Sequence, residues 1–219
     1  MRTAGRRVAA LLWLLLATRP QTLGGVQAPQ RWAPCVWCVT TGLAAGALLA
    51  PGEIGRAANA TGGGEQLIAY LGDAFALGIR AGLESDVLGV ELVLLLGANR
   101  VEVENEFGVR FPNHGEPPVL WTGSVLFYPL FPLRHTALGR RLRPFVVAGL
   151  GGAFVSVDLD NIEGQTLYHS WQESVGGGIR FFSDHSFVEL RLTRQRVHRN
   201  GPLHGFDAHA ATVALGIRF

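Results

Sequence analysis

The chain has 219 residues, 19 basic residues that are all arginine, 17 acids and a formal charge of +2. This length holds one domain and a removable segment, and a charge so near zero excludes nucleic acid as an electrostatic partner. No stretch reaches about 18 uninterrupted apolar residues. The nearest, Val36 to Ala50, contains Thr40, Thr41 and two glycines, so a membrane-spanning helix is excluded as well.

Residues 1–28, "MRTAGRRVAALLWLLLATRPQTLGGVQA", carry Arg2, Arg6 and Arg7 at the start, a short apolar run from Val8 to Ala17, and a small-residue cleavage site at Val26-Gln27-Ala28. That is the pattern of a secretory signal peptide, and residues 29–219 form the domain that follows it. Its removal takes four arginines (Arg2, Arg6, Arg7, Arg19) and no acid, leaving 15 bases against 17 acids. Cys35 and Cys38 then form a CxxC, which in an exported chain is a small disulfide or a redox motif. A redox pair opens a helix, whereas this one precedes a strand-like run, so an oxidised or incidental pair is expected.

Hydrophobic alternation predicts eight strands, at 38–49, 75–83, 88–96, 120–130, 145–157, 168–182, 187–197 and 211–219. Long connections (50–74, 97–119, 158–167, 198–210) alternate with tight ones at "ESDV" and "SDHS", and only "FPLRHTALGRRLR" is longer than this rhythm requires. Long loops at one end and short turns at the other are how outer-membrane barrels are built. The last strand, "ATVALGIRF", keeps apolar residues at Ala211, Val213, Leu215, Ile217 and Phe219. An apolar stripe that continues to the last residue implies a strand held to its end.

The other register decides which solvent the apolar stripes meet. A soluble barrel such as a lipocalin-like periplasmic carrier would crowd its water-facing register with charge. Here that register is mostly small: Ala76, Gly78 and Gly82; Gln172, Ser174, Gly176 and Gly178; Thr212, Ala214 and Gly216. Such a face fits the inside of a narrow barrel. Arg80, Glu91, Arg180, Glu189, Arg191 and Arg218 share it and, because buried charges must be paired, are expected to form a lumen salt-bridge cluster joined by Gln172, Ser174 and Thr193. Trp171 and Phe181 lie ten positions apart on the opposite face, about 25 Å along the axis of a tilted strand, the height of a lipid-facing band. One aromatic girdle is expected at Trp171 and the other at Phe181 and Phe219.

Four stretches resemble the OmpA-like β-barrel domain family of small outer-membrane proteins: "RPFVVAGLGGAFV", "SVGGGIRFFSDHSFVELRLTRQR", "VLGVELVLLLG" and the terminal "ALGIRF". The resemblance runs from about Phe75 to Phe219. It implies an eight-stranded antiparallel up-and-down transmembrane barrel, export to the bacterial (Gram-negative) outer membrane, and insertion by the barrel assembly machinery, which in such proteins reads the final aromatic strand. No peptidoglycan-binding domain follows, so tethering to the cell wall is not implied.

Some barrels of this size are lipid A deacylases with a serine, a histidine and an acid on the rim. The nearest materials here are His169, Ser170 and Glu173, or Asp184, His185 and Ser186. Neighbouring strand residues face opposite ways, so His169 and Ser170 are poorly set to meet as base and nucleophile, and "SDHS" reads as a polar turn. His198, His204 and His209 lack metal-site spacing, "DLDNIEG" lacks the calcium-loop pattern, and "GGGEQ" does not open a helix as a phosphate loop must. The expectation is a monomeric, non-enzymatic barrel without cofactor or metal, whose lumen is plugged and whose outer loops meet lipopolysaccharide, host or partner proteins.

Overall fold

Alternation in the sequence becomes alternation of faces in space. The computed structural model describes residues 37–49, 52–58, 66–98, 101–104, 107–112, 116–130, 136, 141–157, 166–183, 185–200 and 204–219. The expected signal peptide at 1–28, Cys35, the "DLDNIEG" loop, Asp184 and most of "GGGEQ" lie outside these residues. The described residues form twelve strands: β1 (Cys38–Leu49), β2 (Gly52–Ala58), β3 (Gln66–Leu71), β4 (Ala74–Glu84), β5 (Leu88–Gly97), β6 (Val101–Glu104), β7 (Arg110–Pro112), β8 (Val119–Phe127), β9 (Leu142–Val157), β10 (Thr166–Ser183), β11 (Ser186–Val197) and β12 (Phe206–Arg218).

Eight of them close an antiparallel barrel in the order β1-β12-β11-β10-β9-β8-β5-β4, with β1 pairing to both β4 and β12. Ladder partners traced once around the wall run from Arg196 through Glu173, Leu150, Gly123, Leu92, Ala81, Thr41 and Ile217 to Ser186. The circuit returns to β11 ten residues below its start. With eight strands this stagger tilts each one about 40° from the axis, so each residue climbs roughly 2.5 Å.

The outward register is apolar and open. Leu43 and Leu192 are each 68% exposed, and Leu77, Ile79, Leu92, Val125, Leu150 and Val175 stand out beside them. From Trp37 and Phe219 at the inner rim to Leu49, Phe75 and Trp121 at the outer rim, this band is roughly 25–30 Å tall at that tilt, matching the lipid-facing band of membrane barrels. In water a contiguous apolar surface of this extent is an association liability.

Most boundaries lie within three residues of those the alternation suggests, and three departures bear on the architecture. The strand expected at 120–130 ends at Phe127, because Pro129 has no N–H to give to the ladder and Tyr128 instead donates its backbone N–H to Val87 O at 2.9 Å. The strand expected at 211–219 begins at Phe206 and ends at Arg218. Its first turns put Asp207 and His209 outside and Phe206, Ala208 and Ala210 inside, so the apolar register changes face and the pattern looks broken. The long connections 50–74 and 97–119 are not plain loops: they contain β2, β3, β6 and β7, which form a four-stranded sheet in the order β2-β3-β6-β7. The chain leaves the wall for this sheet at Gly52, whose φ of +99° lies where L side chains are disfavoured.

The sheet caps the barrel. Its Ile54, Ala69, Leu71, Val101 and Val103 pack against Leu48, Leu95, Leu120, Val155, Val197 and Phe206 of the wall in one continuous buried cluster. The outer half of the lumen is therefore filled largely by hydrocarbon, with the buried polar Ser170, Gln172 and Gln195 among it.

Candidate functional site

The inner half is filled with charge. Period-two geometry turns Arg80 and Glu84 of β4, Glu91 of β5, Arg180 of β10 and Glu189 and Arg191 of β11 inward, and all six are buried. Four of them form a closed ring of alternating sign. Arg80 meets Glu91 at 2.5 Å, Glu91 pairs with Arg191, Arg191 Nε donates to Glu189 Oε1 at 2.8 Å, and Glu189 pairs back to Arg80. Glu189 also accepts from Arg180 Nε and NH2 at 2.8 and 2.5 Å, so one carboxylate serves three guanidiniums. Arg180 continues the chain to Glu84, and the Tyr128 hydroxyl lies 3.0 Å from each of them.

Three inward aromatics complete the layer. The guanidinium of Arg180 sits 4.6 Å from the Phe187 ring centroid and 5.5 Å from that of Phe145, while Arg218 and Arg143 both lie over Phe182. Burial costs such charges several kcal/mol each unless partners replace water, and here carboxylates and aromatic rings replace it. Glycines on facing strands make room: a Cβ at Gly216 would come 2.2 Å from the Phe187 ring.

The structure places Arg80, Glu91, Arg180, Glu189 and Arg191 in one network. Arg218 stands at its edge, with Nε 3.8 Å from Glu84 and no hydrogen bond to its Nε or NH2. Below it, Arg143 meets Asp86 at 3.0 Å. The third carboxylate, Glu84, escapes the sequence reading because "ESDV" looks like a turn; it is the last residue of β4, two positions past Gly82 on the small register, and parity alone would have found it. Tyr128 lies within the expected strand 120–130, on the register of Thr122 and Ser124, and carries no charge to mark it.

Gln172, Ser174 and Thr193 face the lumen but stand above the charges, not among them. Gln172 Nε2 donates to Thr122 Oγ1 at 2.8 Å and to Trp121 O at 2.9 Å. Ser174 and Thr193 join Thr122, Ser124, Gln195 and Thr212 around a cavity of about 30 Å³ whose floor is Arg80, Glu189 and Arg191, room for about two waters.

Among the described residues, the candidates for rim chemistry do not converge. Ser170 is buried in the lumen wall with its hydroxyl unpartnered, whereas His169 faces out, its ring 4.7 Å from that of Phe154. Glu173 bonds His198 Nε2 at 3.0 Å. His185 and Ser186 are exposed at the short β10–β11 turn. His204 is tied through its backbone N–H to Ile54 O of the cap, and among the described residues no group of three or more His, Cys, Asp or Glu could hold a metal ion. Cys38 is disulfide-bonded. Trp171, Phe181 and Phe219 all point outward, at 64%, 45% and 71% exposure, and Phe219 N–H donates to Val39 O at 3.0 Å, tying the last residue to the first barrel strand.

No family model matches the sequence, and no curated protein matches it. Solved structures do. Neisserial surface protein A aligns at 13% identity and a TM-score of 0.54 over 84% of this chain and 97% of that one. The outer membrane protein OprG from Pseudomonas aeruginosa aligns at 15% and 0.54 over 84% and 95%. The N-terminal β-barrel domain of Pseudomonas aeruginosa OprF aligns at 14% and 0.48 over 84% and 98%. What the chain shares with the first two is the fold, a closed eight-stranded antiparallel barrel of the outer-membrane kind.

Proposed function

We propose that this chain is a monomeric, non-enzymatic barrel of the bacterial outer membrane, OmpA-like in its wall, with a plugged lumen and with outer loops that serve envelope structure or surface interaction. The observation that carries the reading is the inversion of polarity: hydrocarbon on the outside of a closed wall, paired charge on the inside. Only a lipid surround suits that outside. The four OmpA-like stretches all lie on the barrel, in β5, β9, β10–β11 and β12. Every edge of the wall is paired, which leaves no strand of the barrel itself free for self-association and supports a monomer. The aromatic residue ending β12's stripe supports insertion by the barrel assembly machinery, and outer-leaflet lipid with its lipopolysaccharide is the surround we assign to the apolar band.

The test is fractionation of cells expressing the full chain, with cold and boiled samples compared on a gel. An outer-membrane band that shifts on heating is expected. A band soluble without detergent would make the chain a lipocalin-like carrier and overturn the assignment.

A further inference from the structure

Charges on the outward face of the barrel are confined to one place. Among the described wall residues, the outward side chains of β1, β4, β5, β8 and β9 carry none, while β10 contributes Glu173, β11 Arg194 and Arg196, and β12 Asp207. Ladder partners put these four side by side: Arg196 stands opposite both Glu173 and Asp207, and Arg194 opposite Val175 and His209. With the stagger described above, they lie within roughly 5 Å of the height of Trp121 and Trp171, at the outer rim of the apolar band. That is headgroup level, and across the barrel the same height is held by Leu49, Phe75 and Leu96.

Directly beneath the arginines the wall is grooved. Gly123 and Gly149 form a floor between Val125, Ala148, Leu150 and Val175, and Arg194 and Arg196 close its upper end in a cleft of about 580 Å³. The two guanidiniums share one carboxylate, Arg194 at 2.5 Å and Arg196 at 3.4 Å from Asp207, and remain 49% and 58% exposed. Each guanidinium has five N–H donors, so most remain free for a ligand. Glu173 is held by His198, and the exposed Arg199 follows the strand, so three arginines face two acids.

We propose that this face binds a phosphorylated, multiply acylated glycolipid of the outer leaflet, a deduction that rests on the membrane placement proposed above. Phosphate suits the arginine pair, which offers charge-assisted donors in a fixed fork. Sugar hydroxyls suit the lone pairs that Asp207 and Glu173 keep beyond their arginine and histidine partners, acceptors for which a phosphate group alone has no donor. An acyl chain suits the groove below, and the level of the rim puts all three parts of one molecule at their own depths.

The full chain, refolded into phosphatidylcholine vesicles and checked by its heat-shifted band, is titrated with bisphosphorylated lipid A and with the same lipid stripped of phosphate. The intact lipid is expected to bind about tenfold or more tighter, with Arg194→Gln/Arg196→Gln removing the difference. Gly123→Leu fills the groove from β8, three strands away from the arginines of β11, where an added side chain has room, and should weaken both lipids. Equal affinity for the two lipids, or an unchanged preference in a folded double variant, overturns the site while leaving the barrel in its membrane. Displacement of the lipid by inorganic phosphate alone reassigns the face to a free anion and also overturns it. Failure of the parent chain to enter vesicles overturns the site and the membrane placement together.

Discussion

The two halves of the lumen are closed by opposite chemistry. In the inner half, the wall's own side chains meet across the axis and satisfy one another as ions, with Glu189 shared by Arg80, Arg180 and Arg191. In the outer half, the wall turns alanine, valine and leucine inward and is filled from above by Ile54, Leu71 and Val101 of the cap. The inner closure depends on pairing, so losing one partner strands the rest; the outer closure depends on volume, so a loss there is graded by the space left behind. A barrel of eight strands can be sealed either way, and this one uses a different means at each end.

That contrast can be broken most sharply at Glu189. Glu189→Leu leaves three arginines without their shared carboxylate and should cost about 3–5 kcal/mol in urea unfolding in lipid. Removing charge from both sides at once sharpens the point: Arg80→Met with Glu91→Leu should cost less than either single change, since a buried pair replaced as a unit is often near neutral. In the outer half, Leu71→Ala should cost about 2–4 kcal/mol from the cavity it leaves. The loss should come chiefly as greater hydrogen exchange in the cap, with the barrel transition little moved. Gly216→Ala presses a methyl group on Phe187 and should cost about 1–3 kcal/mol by overpacking. Arg218→Gln, at the rim of the network, should cost no more than about 1 kcal/mol by the same urea titration. If Arg218→Gln equalled Glu189→Leu, the ring would not be the centre of the inner closure.

The wall was legible because its signal is local and strict. Each barrel strand keeps one register for lipid and one for the lumen, so parity alone brought Arg80, Glu91, Arg180, Glu189 and Arg191 to one face before any contact was known. Glu84 was lost where strand meets turn, because acid and serine there follow turn chemistry as well as ladder parity, and Tyr128 because an uncharged side chain gives no reason for a partner. The cap was not legible at all. β3 pairs with β6, thirty or more positions further on, β2 carries a register shift between Glu53 and Gly55 that spoils its alternation, and such short strands gain their stability from burying Ile54 and Leu71 against a wall the sequence does not place beside them. The outward charges of β11 and β12 were legible only as interruptions, since their height on the barrel follows from the stagger.

A lumen closed twice over should carry no ions. The full chain, purified, folded as judged by its heat-shifted band, and inserted into a planar lipid bilayer, should pass no stepwise current under applied voltage. Glu189→Leu should still be silent while the cap holds. Steady, ohmic current steps from the unaltered protein would contradict the account, because neither the ring at Glu189 nor the cap at Leu71 could then be blocking the path between them.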